Sequence, residues 1–381
     1  MLDLKYQAVR RTSEELLVHL QNFQLDLRFS AGVWYFGNLS SRFHATYNQD
    51  QAAYHLLEKI VPLIKHGLQG VEAHYPNEIN EKNIDIYRDF CNAYNVKLIS
   101  AIPNLSYDAQ FRFGSLSSPI KVVRKAAIER VKEALEINKM LQTDFMVLWP
   151  GIDGYENPFG IDFIETRTRF AAGLAEAMDQ VPGIQVALEP KPYEPRGRTL
   201  YGTTPEGLLF AEKVEGMLTN PVNRELLAQG FKLVGLNPEI GHMRMAQEDL
   251  PYAYSMAMEY GRLMHTHWNS QPLGGFDQDL NVGVVGPEQA EATLYSLKMH
   301  GYQGWLGIDI WPERMPVEQG LINSIDAIRS MNERINSLDH EYIITCLQDP
   351  ERYAGYLEAL LIRARAQSTV SLSPLPKLQK P

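Results

Sequence analysis

Residues 236–242 of the chain read LNPEIGH and follow an apolar run at residues 231–235. The run has the length and composition of a buried strand, so Glu239 and His242 are predicted to lie just beyond its end. A carboxylate and an imidazole three residues apart can both reach one divalent ion, and the carboxylate can also bridge two ions. One such pair is weak evidence for a metal site, because Glu and His on loops are commonly solvated. It gains weight because other strand-like runs also end in metal-ligand residue types.

The size and composition of the chain limit the possible folds and partners. Its 381 residues are 45% hydrophobic and 22% charged, which is enough to bury a large core and too long for one small domain. An α/β barrel with an extension fits this length. The net charge of -10 and the pI near 5.5 argue against a nucleic-acid or anionic-membrane surface. We therefore expect small neutral or cationic partners, with no nucleic acid and no membrane.

Cysteine usage and the amino terminus point to a location in the cell. Cys91 and Cys346 are too few and too isolated for a disulfide framework or a zinc ribbon. Residues 1–5 lack the apolar core of a signal peptide, and no apolar run approaches the roughly 18 residues of a membrane span. These features predict a soluble, cytoplasmic protein.

Short apolar runs alternate with helical segments along the chain, which is typical of a parallel α/β sheet. About eight units are predicted, with strands at residues 27–36, 70–74, 96–103, 145–149, 184–188, 231–235, 262–267 and 304–311. Helices are predicted at residues 13–21, at about 51–66 with Gly67 as C-cap, from Ser118, from Thr204, from 317 and over 339–365. The predicted organisation is an N-terminal helical segment (1–25), a (β/α)8 TIM barrel (26–315) and a C-terminal helical extension with a mobile tail (316–381).

In a closed (β/α)8 barrel, the carboxyl ends of the strands and the loops after them form the active face. The residues predicted to meet there are His74, Trp149, Glu189, Lys191, Glu239, His242, His267, Asp277, Asp279 and Asp309. Any one of them alone would more often be structural or solvated. So many carboxylates cannot share a partly buried pocket unless cations or protons offset their repulsion, and two divalent metals would do so. His265, on the same side of its strand as His267, is predicted to be a packing residue.

Four motifs stand in the order and spacing of a known family. They are EPKPYEPRG at residues 189–197, NPEIGH at 237–242, DQDL at 277–280, and Asp309. With these motifs the chain resembles the xylose isomerase family over residues 27–311. The resemblance implies a metal-dependent (β/α)8 barrel that interconverts aldoses and ketoses. It also implies a homo-oligomer, a dimer or a tetramer, in which the C-terminal extension wraps a neighbour.

The same resemblance implies a role for each matching residue. The first metal would be held by Glu189, Glu239, His267 and Asp309, and the second by Glu239, His242, Asp277 and Asp279. The catalytic residues would be His74, which assists ring opening, Lys191, which hydrogen-bonds the reacting oxygen, and Asp279. The substrate would contact Trp34, Trp149, His242 and Asn269. The implied cofactors are two divalent ions, Mn²⁺, Co²⁺ or Mg²⁺.

Three positions depart from the family pattern. Position 267 is His where xylose isomerases have Asp, and a nitrogen ligand suits Mn²⁺ or Co²⁺ better than Mg²⁺. Rhamnose isomerases are similar in using a histidine near that metal. Residues 75–77 read YPN where the family has an acidic run, so the carboxylate that orients His74 is predicted to be missing. Ser106 stands where the family has an aromatic residue, so the sugar specificity is left open.

The sequence thus predicts a sugar isomerase that acts on an unphosphorylated aldose by a metal-assisted hydride shift. An alternative keeps the barrel and the metals but abstracts a proton, for epimerisation, dehydration or C-glycoside cleavage, with a histidine or lysine as base. A metal-dependent endonuclease of similar shape would need a basic DNA face, which the charge balance opposes. A non-catalytic sugar-binding barrel fits least, because mere binding does not need complete ligand sets.

Overall fold

Parallel strands form the centre of the protein in the computed structural model, which describes residues 10–37, 53–366 and 370–378. The predictions made for residues 1–5, for the start of the helix near Gln51 and for part of the carboxyl-terminal tail fall outside these ranges. Eight parallel strands are present in the described residues: β1 (Arg28–Gly32), β2 (Leu68–Tyr75), β3 (Lys97–Pro103), β4 (Met146–Leu148), β6 (Val186–Leu188), β8 (Val234–Leu236), β9 (His267–Trp268) and β10 (Trp305–Ile308). A short antiparallel pair, β5 (Gly154–Tyr155) and β7 (Arg198–Thr199), lies outside this set.

The strand order closes into a barrel. One sheet runs β3-β2-β1-β10-β9 and a second runs β4-β6-β8. The two sheets meet at one junction through the amide of Val147, which donates to Ser100 Oγ at 2.9 Å. They meet at the other junction through parallel bridges from Leu236 to Leu263 and from Glu239 to His267. The predicted TIM barrel is therefore confirmed.

Most of the strands are shorter than the sequence pattern indicates, and in two of them the structure shows the reason. The first ends at Gly32 because residues Trp34–Phe36 turn into a 3-10 helix, whose Tyr35 hydroxyl bonds the carbonyl of Ile308. The seventh was predicted over 262–267, but regular pairing covers only His267–Trp268. Before it, the amides of Met264 and His265 both donate to the carbonyl of Leu236, so the backbone bends instead of forming a ladder.

Helices cover the outside of the barrel. The described helices are α1 (Ser13–Asn22), α2 (Ala53–Lys65), α3 (Ile84–Tyr94), α4 (Lys121–Leu141), α5 (Phe163–Gln180), α6 (Thr204–Met217), α7 (Pro221–Ala228), α8 (Ile240–Met245), α9 (Leu250–Glu259), α10 (Pro287–His300), α11 (Val317–Asn336), α12 (His340–Gln348) and α13 (Tyr356–Arg365). α4 begins at Lys121 and not at Ser118, because the backbone of Ile120 is extended and makes this residue the N-cap. None of the helices in the described ranges is long and apolar enough to cross a membrane.

The carboxyl-terminal helices occupy two different places. α11 packs on the barrel wall against β10, α2 and α10. α12 and α13 form a separate small cluster around Tyr342, Ile343 and Leu360, and α12 also contacts α1. The segment at residues 370–378 returns to this cluster, where the Tyr342 hydroxyl donates to the carbonyl of Pro376 at 3.0 Å.

The barrel interior contains both an apolar and a polar layer. The apolar cluster consists of Ile99, Ile102, Phe145, Val147, Ala187, Met264 and Trp305. The polar residues Ser30, Glu72, Ser100, His265 and His267 are all buried beside it. Branched aliphatic side chains are the usual filling of such barrels, so this polar layer needs a reason.

Candidate metal centre and pocket

One cavity of about 200 Å³ opens at the carboxyl ends of the strands. Three carboxylates reach it from positions that directly follow a strand or begin a helix. Glu189 follows β6, Asp309 follows β10, and Glu239 is the N-cap of α8. The other predicted site residues that line the cavity are Trp34, His74, Trp149, Lys191, His242, His267, Asp277 and Asp279. The cavity is smaller than the roughly 300–1,000 Å³ that drug-sized ligands occupy, and its size suits a small molecule.

Four side chains at one side of the cavity place ligand atoms within 4.8 Å of one another, and we call Glu189, Glu239, His267 and Asp309 the first group. His267 is central to it. Its Nδ1 atom lies 2.9 Å from a Glu189 oxygen, 3.2 Å from an Asp309 oxygen and 4.0 Å from a Glu239 oxygen. These are the four residues that the family resemblance assigns to a first metal.

The second group consists of Glu239, His242 and Asp277, whose ligand atoms also lie within 4.8 Å of one another. His242 Nε2 is 3.4 Å from a Glu239 oxygen and 3.2 Å from an Asp277 oxygen. Glu239 belongs to both groups, so we call it the shared carboxylate. The second group contains three of the four residues that the resemblance assigns to a second metal.

The fourth, Asp279, is held beside the second group by Asn269. The Asn269 amide donates to the shared carboxylate Glu239 and to Asp279, each at 2.9 Å. Asn269 is fully buried. The structure therefore places this predicted substrate contact between two of the carboxylates, where it holds them at a fixed spacing.

The donor atoms of both groups suit divalent cations. The ring atoms His242 Nδ1 and His267 Nδ1 and the oxygen Asp277 Oδ1 are buried and make no hydrogen bond. Burial raises the pKa of Glu239 well above its usual value, and repulsion by Asp279, Glu189, Asp277 and Asp309 raises it further. Bare nitrogen and oxygen donors beside an excess of negative charge are what Mn²⁺, Co²⁺ or Mg²⁺ would satisfy.

Lys191 supplies a positive charge at the edge of the second group. Its Nζ atom lies 2.7 Å from an Asp277 oxygen and 5.3 Å from the centre of the Trp149 ring. Burial lowers the pKa of Lys191, but the adjacent Asp277 carboxylate outweighs this effect, and the net pKa is raised. The lysine is therefore charged, and it is suited to hydrogen-bond an oxygen of a bound molecule.

The carboxylate that orients His74 is present, and the prediction that it is missing is wrong. Glu78 supplies it from beyond the YPN segment: one of its oxygens lies 3.0 Å from His74 Nδ1 and accepts the His74 amide at 2.7 Å. Burial lowers the pKa of His74, but the attraction and hydrogen bond of Glu78 outweigh this effect, and the net pKa is raised. The His74 ring also packs on Trp34, with 4.4 Å between ring centres.

Two residues below the first group were missed or misjudged from the sequence. Glu72, inside β2, is only 1% exposed and lies between two histidines. His265, predicted to be a packing residue, contacts the Phe145 ring but also places Nε2 at 3.1 Å from a Glu72 oxygen. A glutamate between the apolar residues Val71 and Ala73 of a strand was the available signal, because buried carboxylates are rarely found without a partner.

Comparison with known proteins agrees with the fold and with the family resemblance. Residues 62–331 match the xylose isomerase-like TIM barrel family. A xylose isomerase of Thermus thermophilus is 28% identical over 309 residues, which cover 77% of this chain and 75% of that protein. A xylose isomerase of Thermus caldophilus is 29% identical over 314 residues, with the same coverage of both proteins.

Solved structures show the same architecture at lower identity. A D-tagatose 3-epimerase-like protein superposes with a TM-score of 0.59 at 18% identity, over 81% of this chain and 98% of that one. An L-ribulose 3-epimerase superposes with a TM-score of 0.56 at 15% identity, over 82% of this chain and 99% of that one. These likenesses concern the fold. Because the family match spans more than half of the chain, the protein belongs to the xylose isomerase-like TIM barrel family.

Proposed function

We propose that the protein is a divalent-metal-dependent enzyme that interconverts an unphosphorylated aldose and its ketose. The observation that carries this proposal is the pair of ligand groups that share Glu239 at one cavity. The xylose isomerases that align with about three quarters of the chain support a sugar as the substrate class. We further propose a homo-oligomer, a dimer or a tetramer, located in the cytoplasm.

The first group would hold one ion, and the second group, with Asp279, would hold another. Bound ions of this kind act as Lewis acids, which orient neighbouring sugar oxygens and stabilise negative charge that develops on them. The remaining work falls to residues of the chain. Lys191 would donate a hydrogen bond to the reacting oxygen, and Asp279 would help to move a hydroxyl proton. Trp34 and Trp149 line the cavity and exclude water.

His74 is proposed to assist ring opening of the cyclic sugar. Glu78 fixes the ring through Nδ1 and favours the protonated form, so the imidazole is held ready to give or take a proton. A protonated imidazole can give a proton to the ring oxygen of the sugar and can accept one again afterwards.

The charges of the cavity favour a sugar without a phosphate group. Among its lining residues in the described part of the chain, Lys191 is the single lysine or arginine, and it is paired with Asp277 at 2.7 Å. Phosphate recognition normally uses arginine, lysine or a helix amino terminus. A phosphorylated sugar would instead meet the carboxylates of both groups.

A second candidate reaction, epimerisation by proton abstraction, uses the same cavity. It is favoured by Glu189 and Asp309, two carboxylates of the first group whose ligand atoms lie within 4.8 Å of each other and offer a base and an acid. The solved epimerase structures of the same fold agree with this alternative but show only the architecture.

One experiment distinguishes the two reactions. The purified protein is incubated with Mn²⁺ and a panel of pentoses and hexoses, and the products are identified. The productive sugar is then converted in D2O. A hydride shift retains the hydrogen of C2, so we expect product without solvent deuterium on carbon. Deuterium on carbon would favour proton abstraction, and no conversion of any sugar on the panel would refute the proposed function.

A further inference from the structure

Glu72 is a buried carboxylate that the proposed reaction does not use. It lies in β2 at 1% exposure and makes three contacts. One oxygen accepts the Ser30 hydroxyl at 2.9 Å and lies 3.1 Å from His265 Nε2. The other oxygen lies 3.2 Å from His267 Nε2.

The two ring nitrogens of His267 have opposite surroundings. Nε2 lies next to Glu72, whereas Nδ1 lies within 4.0 Å of oxygens from Glu189, Asp309 and Glu239. A histidine that binds a metal must present a bare nitrogen, so its hydrogen has to sit on the other one. A hydrogen bond from that second nitrogen to a carboxylate fixes both the tautomer and the ring orientation.

We propose that Glu72 is a positioning residue for the first group: it accepts the Nε2 hydrogen of His267 and thereby keeps Nδ1 bare and directed at the metal position. The proposal rests on the metal-binding part of the proposed function. It does not depend on which sugar is the substrate or on how hydrogen moves.

The contacts of Glu72 explain why a carboxylate is required. An ionised carboxylate only accepts hydrogen bonds, and it can accept from Ser30, His265 and His267 together. A glutamine has a single acceptor oxygen, which would be retained on the side where Ser30 and His265 both donate. Its amide group would then face His267 Nε2 and donate to it. That contact forces the His267 hydrogen onto Nδ1, the atom that should bind the metal.

The neighbouring strand provides an independent sign that this layer is built around the two imidazoles. Gly307 of β10 pairs with His267 across the sheet. A Cβ atom at Gly307 would lie 2.7 Å from His265 Nε2 and 2.8 Å from His267 Cδ2. Both distances are shorter than a normal contact, so any other residue at 307 would displace the rings from Glu72 and from the first group.

The test compares Glu72→Gln with Ser30→Ala as a matched control, since both remove a hydrogen bond of the same buried carboxylate. Mn²⁺ binding is measured by calorimetric titration of the protein stripped of metal. We expect Glu72→Gln to weaken Mn²⁺ binding at the first group by about 10- to 100-fold, the usual effect of losing such a partner. Ser30→Ala should change the affinity by about threefold or less, because it leaves the contact with His267 intact.

A second pair of variants separates positioning from charge. An aspartate at 267 binds through oxygen and has no tautomer to fix, so Glu72→Gln should weaken Mn²⁺ binding much less in the His267→Asp background. If Glu72→Gln lowers the Mn²⁺ affinity equally in the wild-type and His267→Asp backgrounds, Glu72 acts through its charge alone and the proposal is wrong. Wild-type protein that binds no divalent ion would instead refute the proposed metal-dependent function.

The wild-type protein allows a check that does not depend on how the variants fold. Zn²⁺ is added to protein labelled with ¹⁵N-histidine, and the His267 signal is assigned by its loss in His267→Asp. We expect the ring hydrogen on Nε2. A hydrogen on Nδ1 in the Zn²⁺-bound protein would overturn the proposal, even if Zn²⁺ binding itself is tight.

Discussion

Neutralising the shared carboxylate should have opposite effects on the metal-free and metal-bound protein. Glu239 is 1% exposed, and burial together with four neighbouring carboxylates raises its pKa well above the usual value. An acid whose folded pKa is raised opposes folding at every pH above its unfolded pKa. We therefore expect Glu239→Gln to stabilise the metal-free protein at pH 7 while weakening the binding of both ions.

The size of the stabilisation follows from the structure. Carboxylate oxygens of the first group lie within 4.8 Å of one another, and two unit charges at that separation repel by about 3.5 kcal/mol at an effective dielectric constant of 20. The pH dependence gives a similar upper limit. A carboxyl that is ionised in the unfolded chain but neutral in the folded protein destabilises the fold by about 1.4 kcal/mol for each pH unit above its usual pKa of 4.5. We expect a gain of about 2–3 kcal/mol at pH 7, and no gain near pH 4.

The assay is thermal unfolding in EDTA and in Mn²⁺, at pH 7 and at pH 4, with Glu189→Gln as the matched control. Burial raises the pKa of Glu189, but His267 and His242 outweigh this effect, and the net pKa is lowered. Its charge therefore stabilises the fold above the unfolded pKa, and this stability is lost as the pH falls through the folded pKa. Glu189→Gln should destabilise the metal-free protein by about 1.5–3 kcal/mol at pH 7. If both variants shift the melting temperature in EDTA in the same direction, this account of the charges is refuted.

Three further predictions concern single contacts of the site. Glu78→Gln should lower the pKa of His74, since burial then acts against a smaller opposing negative charge, and NMR titration of the His74 ring that shows an unchanged pKa would contradict this. His267→Asp should shift the activity preference from Mn²⁺ or Co²⁺ toward Mg²⁺, and an unchanged Mg²⁺ to Mn²⁺ activity ratio would exclude His267 as a ligand. Gly241→Ala should weaken Mn²⁺ binding about tenfold or more, since its Cβ would lie 2.9 Å from the shared carboxylate, whereas Gly216→Ala in open space should leave the affinity unchanged.

The first group could be anticipated from residues local to each strand. Glu189 and Asp309 directly follow apolar runs. Two residues separate Glu239 from the apolar run before it. Since all parallel strands of a barrel end at the same face, the type of residue after each run was sufficient to predict their meeting. The bend before His267 could not be predicted from the sequence. It arises because the amides of Met264 and His265 both donate to the carbonyl of Leu236 in β8, a contact between elements that local propensity does not determine.

The partners of the two histidines could not be anticipated in the same way. Glu78 follows His74 by four residues, but only the folded turn after β2 brings its carboxylate back to the ring. Glu72 and His267 are 195 positions apart in the chain. Their contact exists because β2 and β9 place side chains in the same interior layer of a closed barrel.

The sequence by itself determined which residue types stand at the strand ends, and with them the barrel and the kind of chemistry, because strand periodicity and the residue after each strand are local properties. Only the tertiary structure decided which side chain each of these residues meets. The separation of charges, the tautomer of an imidazole and the pKa of a carboxyl depend on distances of a few ångströms between elements remote in the chain. Those distances are set by barrel closure and core packing, which no local pattern encodes.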